Sequence, residues 1–347
     1  MKRRFLNVLI IFAVAFFVFV LILKPEICKT GAAAGILLCG RVIIPSLFPF
    51  TMCVIFIINS DILNSLESVF KGKFRIDILF ITLLSFIGGY PIGAKLLSNE
   101  VIQKKLSKNE ASNMLNHSIN AGPAFIISAV GSGILNSKLA GAILLCSHIL
   151  SALMLIPLSR KDSVNTAAVT PHKHSRINPA DNFVKSVAEA SSTVLNICSF
   201  TILFSCINAY INHLSDSVSE ARIIGLLLEI TNALTLTKNI YIISFLLGFG
   251  GISIWCQVLS IGKGLEIKPL KFILFRILHG VLSVGFTAIL LKLFPLSISV
   301  FSNVTSTSFS YFHSTAAVGI SLLAMAIVFI ISITTKKYAG KIIEDMI

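Results

Sequence analysis

The sequence predicts an all-α polytopic membrane protein, and its composition and apolar runs support this fold class. Only 13% of its 347 residues are charged, whereas soluble domains have about 25%, and the mean hydropathy is +0.90. The apolar runs at 5–23, 272–291 and 315–334 have the length of about 20 residues that a helix needs to cross a bilayer. We expect about 8–10 membrane segments of this kind, in two repeats that each contain a broken or re-entrant helix.

Basic residues border the apolar runs. The net charge of +14 is concentrated beside the expected membrane segments, as in proteins whose basic loops stay in the cytoplasm. This placement favours contact with membrane lipid and argues against nucleic acid as a partner. The residues concerned are Lys2, Arg3, Arg4, Lys104, Lys105, Lys108, Arg160, Lys161, Lys173, Arg176, Lys263, Lys268, Lys271, Lys336, Lys337 and Lys341.

The first element, residues 1–30, has a basic start followed by an apolar run. That run is longer than the 7–15 residues typical of a cleaved signal peptide, so we interpret it as an uncleaved signal-anchor span. The small residues of "TGAAAG" at 30–35 leave cleavage open as the alternative.

The remaining chain divides into a first membrane repeat at 31–158, a hydrophilic linker at 159–181 and a second membrane repeat at 182–347. The hexapeptides "SFIGGY" at 85–90 and "SFLLGF" at 244–249 share the pattern S-F-x-x-G-aromatic, which favours a duplication. Transporters often pair two repeats with discontinuous helices and bind substrate where the breaks meet. The seven cysteines form no CxxC pair, so we expect them to be core residues and not metal ligands.

The first expected break interrupts an apolar segment and is followed by a lysine. Glycine permits positive φ angles, and a proline in the first turn of a helix loses no hydrogen bond. The amides of the second half-helix would then form an anion site, with the lysine nearby, although the lysine could instead extend to the membrane interface. The residues are Gly88, Gly89, Tyr90, Pro91, Gly93 and Lys95.

The second expected break lies in "GFGGISIWCQVLS" at 248–260. Gly250 and Gly251 allow the bend, and Ser253 and Gln257 follow one helical turn apart, so that they share a face. We expect these two polar side chains to face the same cavity as the first break.

Two further polar stretches lie in apolar surroundings. Asn116 and Asn120 are one turn apart, and Gly122 and Pro123 break or start a helix; the asparagines either bind a polar solute or cap the span. Glu229 and Asn232 share a helical face at i, i+3, where Glu229 either takes up a proton or cation or simply faces water. Which alternative holds stays open for both pairs.

Four motifs together carry a resemblance to a known family. The stretches "GYPIGAK", "NAGPAFIISAVG", "LEITN" and "GFGGISIWCQV" resemble the sporulation integral membrane proteins of the nucleoside-recognition (Gate domain) superfamily, of the stage V sporulation dipicolinate-transport type. The resemblance implies paired broken helices, a location in the cell membrane, more narrowly the outer forespore membrane, and movement of dipicolinate during sporulation. It also implies that the motif positions named above line the substrate site.

We therefore expect a transporter or channel for a small organic anion such as dipicolinate. The alternatives are a nucleoside-type solute carrier and a non-transporting partner that gates or assembles a sporulation membrane complex. The protein partner would be a second copy of the chain or another sporulation membrane protein. We expect no enzyme activity and no cofactor, because the sequence contains neither HExxH nor GxSxG, the motifs of common zinc and serine hydrolases.

Overall fold

The computed structural model describes residues 21–60, 76–160, 178–215, 219–235 and 237–296, together with single positions between 8 and 19. Within these ranges every regular element is a helix. Five of the described helices are long and apolar enough to cross a membrane: Pro25–Asn59, Lys138–Ser159, Pro179–His213, Ile240–Ile261 and Pro269–Leu293. The chain is thus an all-α polytopic membrane protein, as predicted. The apolar run at 315–334 and most of the linker at 159–181 lie outside the described residues.

The helices before the linker include one broken pair and two π-helical segments. Helix α1 (Pro25–Leu38) continues through a π-helical turn (Cys39–Ile43) into α2 (Ile44–Asn59). Then follow α3 (Ile76–Gly88), α4 (Tyr90–Ile102), α5 (Lys108–Leu115), a π-helical segment (Phe125–Ile134) and α6 (Lys138–Arg160).

The helices after the linker begin with the longest described helix and include two further interruptions. They are α7 (Pro179–Ser215), α8 (Ser219–Leu228), α9 (Ile230–Thr235), α10 (Ile240–Phe249), α11 (Gly251–Ile261) and α12 (Pro269–Leu293).

Helices from before and after the linker pack against each other throughout the core. Helices α1 and α2 pack on α7, α6 packs on α12, and α4 packs on α11. The α1–α7 contact is close because of its glycines: a Cβ atom on Gly31 would lie 2.8 Å from the Cα atom of Cys206. Small residues allow such close helix approach within membranes, where packing replaces the hydrophobic effect as the driving force. This arrangement places the break between α3 and α4 beside the break between α10 and α11.

A candidate solute site where four chain breaks meet

The first predicted break is present and is centred on Gly89. Helix α3 ends at Gly88, and α4 begins at Tyr90 with Pro91 in its first turn. Gly89 has φ 84° and ψ 179°, a conformation that residues with a Cβ atom rarely adopt. Pro91 therefore opens the second half-helix as expected, because its missing N–H has no partner to lose there.

The second predicted break is also present and uses two glycines with positive φ. Gly250 has φ 83° and Gly251 has φ 81°, so the chain turns between α10 and α11. The hexapeptide pattern aligns Gly89 with Gly248, but the turn itself lies two residues further on. Gly248 serves a different purpose, since a Cβ atom there would lie 2.6 Å from the backbone nitrogen of Gly280. It permits the close approach of α10 and α12.

The third break differs from the sequence prediction. Asn116 and Asn120 do not share a helical face, because α5 ends at Leu115 and residues 119–122 are not helical. We call residues 116–122 the connector; all of its residues are buried. A Cβ atom on Gly93 of α4 would lie 1.7 Å from the carbonyl oxygen of Ser118. The sequence spacing predicts helical turns here. The structure instead has a non-helical connector, which is packed tightly against α4.

The fourth break is at Glu229, where a continuous helix was predicted. Helix α8 ends at Leu228 and α9 begins at Ile230, so the expected i, i+3 pairing with Asn232 on one helix is wrong. Glu229 is only 3% exposed, which rules out the water-facing alternative. Its carboxylate accepts a hydrogen bond from Thr231 Oγ1 at 2.9 Å. Asn232 lies on α9, but its side chain is outside the described residues.

The four breaks lie against one another. A Cβ atom on Gly89 would be 3.7 Å from the backbone nitrogen of Gly122, and one on Gly251 would be 3.4 Å from that of Ile230. Tyr90 joins the two glycine breaks, because its Oη donates to the carbonyl oxygen of Leu247 at 2.8 Å. Non-helical backbone at membrane depth is tolerated where protein or an aqueous cavity surrounds it. The convergence of the four breaks therefore marks a candidate position for a solute site in the interior.

A cavity opens at this meeting point. About 500 Å³ of space not occupied by atoms lies in and around it, a figure that includes open solvent at its mouth. Most of the wall is apolar, including Ile43, Leu47, Phe125, Ile197 and Ile254. The polar side chains in the wall are Ser46, Tyr90, Thr201, Glu229, Thr231 and Gln257. An apolar wall with a few convergent polar groups is typical of sites that orient a small organic molecule.

The predicted site residues divide into two groups. Those that line the cavity are Gly89, Tyr90, Pro91, Gly122, Glu229 and Gln257. The others support it or lie elsewhere, namely Gly88, Gly93, Lys95, Asn116, Asn120, Pro123, Gly250, Gly251 and Ser253. Ser253, for example, is fully buried and accepts a 3.4 Å hydrogen bond from the Gln257 amide. This contact agrees with their predicted one-turn spacing.

Lys95 does not line the cavity. Its ammonium group lies 3.6 Å from a carboxylate oxygen of Glu189 on α7, and both side chains are 26% exposed. Lys185 approaches the same carboxylate at 4.0 Å. The charge after the first break is thus paired across the α4–α7 contact and connects the two halves of the chain.

Sequence reasoning did not assign the buried basic cluster on α6 and α12 to the site. Arg276 and His279 are both 0% exposed, and the rings of His148 and His279 stack with centroids 4.5 Å apart. The signal in the sequence was an arginine and a histidine one turn apart within the apolar run at 272–291. His148 gave no such signal, because it is a single histidine in an apolar helix.

The chain is distantly similar in sequence to a known membrane protein. The chain is 25% identical to the "Sporulation integral membrane protein YlbJ" of Bacillus subtilis (strain 168), over an alignment that covers 80% of this chain and 82% of that protein. No family model matches the chain, and no solved structure matches it. The similarity agrees with the membrane-spanning helices described above.

Proposed function

We propose that the protein is a membrane transporter for a small organic anion, and that it moves this anion during sporulation. The observation that supports this proposal most directly is the convergence of four chain breaks around one cavity. The similarity to YlbJ supports the sporulation context. Dipicolinate, a planar dicarboxylate, is the first candidate substrate, and the outer forespore membrane is the location that this substrate requires.

The first break supplies the anion-binding part of the site. Helix α4 begins at Tyr90 beside the cavity, and the N-terminus of a helix attracts negative charge through its dipole and its unpaired amides. Thr201 and the second amide hydrogen of Gln257 can donate hydrogen bonds from the wall, whereas the hydroxyl hydrogen of Tyr90 is already donated to Leu247. The apolar residues around them fit the faces of an aromatic ring.

Glu229 places a condition on this site. Its carboxylate lines the same cavity, and two like charges in a low-dielectric interior repel each other. Protonation of Glu229, or a cation beside it, would reduce this repulsion, so we expect anion binding to be coupled to one of the two. An ionisable residue at membrane depth commonly has such a role.

One observation favours a second candidate, a carrier of neutral solutes such as nucleosides. No lysine or arginine is among the described residues that line the cavity, and the polar groups of its wall are mostly neutral. These groups suit a solute with a ring and several hydroxyl or amide groups as well as they suit a dicarboxylate.

The decisive experiment is uptake by the purified full chain in vesicles. Labelled dipicolinate and labelled uridine are each offered under an imposed proton or sodium gradient. The proposal expects dipicolinate uptake that depends on one of the gradients and is lost in Glu229→Gln. The matched control is Glu266→Gln, which makes the same chemical change at an exposed carboxylate between α11 and α12. Uridine uptake without dipicolinate uptake would transfer the function to the second candidate.

A measurement in cells tests the sporulation role. In a spore-forming host that lacks the gene, spores should contain less dipicolinate than the parent, and the wild-type chain should restore it. A fluorescent fusion should appear in the membrane around the forespore. Normal dipicolinate content in the deletion strain would remove dipicolinate movement as a required role.

A further inference from the structure

The connector is a non-helical chain segment in the interior of a membrane protein. The N–H groups of residues 116–118 donate to carbonyl oxygens at the end of α5, but the backbone groups that these local bonds leave over need partners from other elements. Ile119, Asn120 and Ala121 are each 0% exposed. Unpaired N–H and C=O groups in such surroundings cost several kcal/mol each. The side chains that supply those partners therefore determine where the connector lies.

Arg276 supplies the partners on one side. Its Nη1 atom donates to the carbonyl oxygen of Ile119 at 2.6 Å, and its Nη2 atom donates to the carbonyl oxygen of Asn116. The planar guanidinium fork fixes two acceptors at once, which the single ammonium group of a lysine does not. A residue of α12, in the second half of the chain, thus holds a segment of the first half.

Two further contacts of the connector come from neutral groups. The Ala121 amide donates to His148 Nε2 at 3.0 Å, so the proton of this imidazole is on Nδ1 and the ring is neutral. The Asn120 amide group donates to Ser85 Oγ at 3.0 Å. Arg276 differs from these two partners in bringing a formal charge to the connector.

The charge of Arg276 is not neutralised by an ion pair with a carboxylate of the described residues. Its guanidinium lies 5.8 Å from the centre of the Phe272 ring, an apolar neighbour that contributes little screening. In a medium of low dielectric constant the interaction of a charge with other charges is stronger at every distance than it is in water. The connector ends at Gly122, which lines the cavity, so this charge raises the electrostatic potential on that side.

We propose that Arg276 is a positioning residue of the solute site: it holds the connector against the first break and gives the cavity its preference for anions. The effect on anion preference rests on the transport function proposed above, whereas the effect on the connector does not. Arg276 does not touch the solute; it acts through Gly122 and Gly89, whose backbones lie side by side at the cavity wall.

Hydrogen exchange followed by mass spectrometry tests the positioning in the absence of any solute. We compare wild type, Arg276→Lys, Arg276→Gln and the control Lys292→Gln, which removes the same charge from the exposed end of α12. Arg276→Gln should increase exchange in the peptide that contains residues 116–122 by at least about tenfold, the factor that corresponds to loss of one charged hydrogen bond. Arg276→Lys should be intermediate. Unchanged exchange in this peptide, or an equal increase along the whole chain, would overturn the positioning role.

Binding of two ring compounds tests the charge preference. The probes are dipicolinate and its neutral diamide, which have the same ring but differ in charge. Arg276→Gln should raise the dissociation constant for dipicolinate by at least about tenfold more than that for the diamide, and Arg276→Lys should restore most of the difference. If Arg276→Gln raises the two dissociation constants by the same factor, Arg276 does not give the cavity a preference for anions, and that part of the proposal is wrong. If wild type binds neither probe, the transport proposal fails, and the exchange experiment still decides the positioning role.

Discussion

The two glycine breaks have similar sequences but occupy different positions relative to the cavity. At the first break a single glycine has a positive φ, and Gly89, Tyr90 and Pro91 line the cavity. At the second break two successive glycines have a positive φ, and neither lines it. Gly251 instead packs against the junction of α8 and α9, where a Cβ atom on it would lie 3.3 Å from the carbonyl oxygen of Leu227. The first break thus forms part of the cavity wall. The second break lies outside that wall and packs against the α8–α9 junction, from which Glu229 reaches the cavity.

The largest effect is expected next to the first break, at Gly93. In Gly93→Ala the new Cβ atom would lie 1.7 Å from the carbonyl oxygen of Ser118, so either α4 or the connector must move. Overpacking against a rigid backbone of this kind should cost about 3 kcal/mol or more of the free energy of unfolding. Thermal unfolding in detergent measures it. The control is Gly40→Ala, where no atom lies within 4 Å; similar melting temperatures for the two variants would contradict the close packing.

A smaller effect is expected at the second break. Gly251→Ala introduces strain at φ 81° and a contact with the α8–α9 junction, which together should cost about 1–3 kcal/mol. Because the junction holds Glu229, we also expect gradient-driven uptake to fall.

The control variant Gly264→Ala has the backbone strain of Gly251→Ala without its new contact. This residue has φ 86° but no atom within 4 Å of the new Cβ atom, so it should lose some stability and keep uptake. Uptake is divided by the fraction of each variant that is folded. If Gly251→Ala then shows the same uptake as wild type, the second break does not position Glu229, and the proposed difference between the two breaks is wrong.

The smallest effect on stability is expected for the ion pair that follows the first break. Lys95 and Glu189 are partly exposed, so their coupling should contribute about 0–1 kcal/mol. A double-mutant cycle with Lys95→Met and Glu189→Gln measures this coupling. If Lys95 acts only through Glu189, the double variant should transport as well as either single variant. If Lys95→Met loses uptake and Glu189→Gln does not, Lys95 acts on the solute directly, as the sequence predicts.

The sequence predicted those parts of the site that depend on local chemistry. Glycines and a proline determine the breaks at Gly89 and Gly250, because their backbone preferences act at the residue itself. The one-turn spacing of Ser253 and Gln257 lies within a regular helix and was therefore also correct.

The other parts depend on contacts between distant segments. The break at Glu229 has no glycine or proline, and the connector replaces a helix because Arg276, His148 and α4 hold it there. Ser46 and Thr201 reach the cavity wall from two helices that pack together, α2 and α7. Residue spacing along one segment contains no information about such partners.

The hydrogen bond from Tyr90 to Leu247 limits how this molecule can admit a solute. A phenolic hydroxyl connects the start of α4 to the last turn of α10 at 2.8 Å, and a separation of these helices by roughly 1 Å would already break that bond. This hydrogen bond therefore keeps the cavity closed on the side where the interrupted helices α4 and α10 meet. The opposite side of the cavity is built by α2 and α7, where the Asn182 amide of α7 donates to the carbonyl oxygen of Phe56 on α2 at 3.2 Å. Opening on either side therefore costs the molecule a buried hydrogen bond between helices.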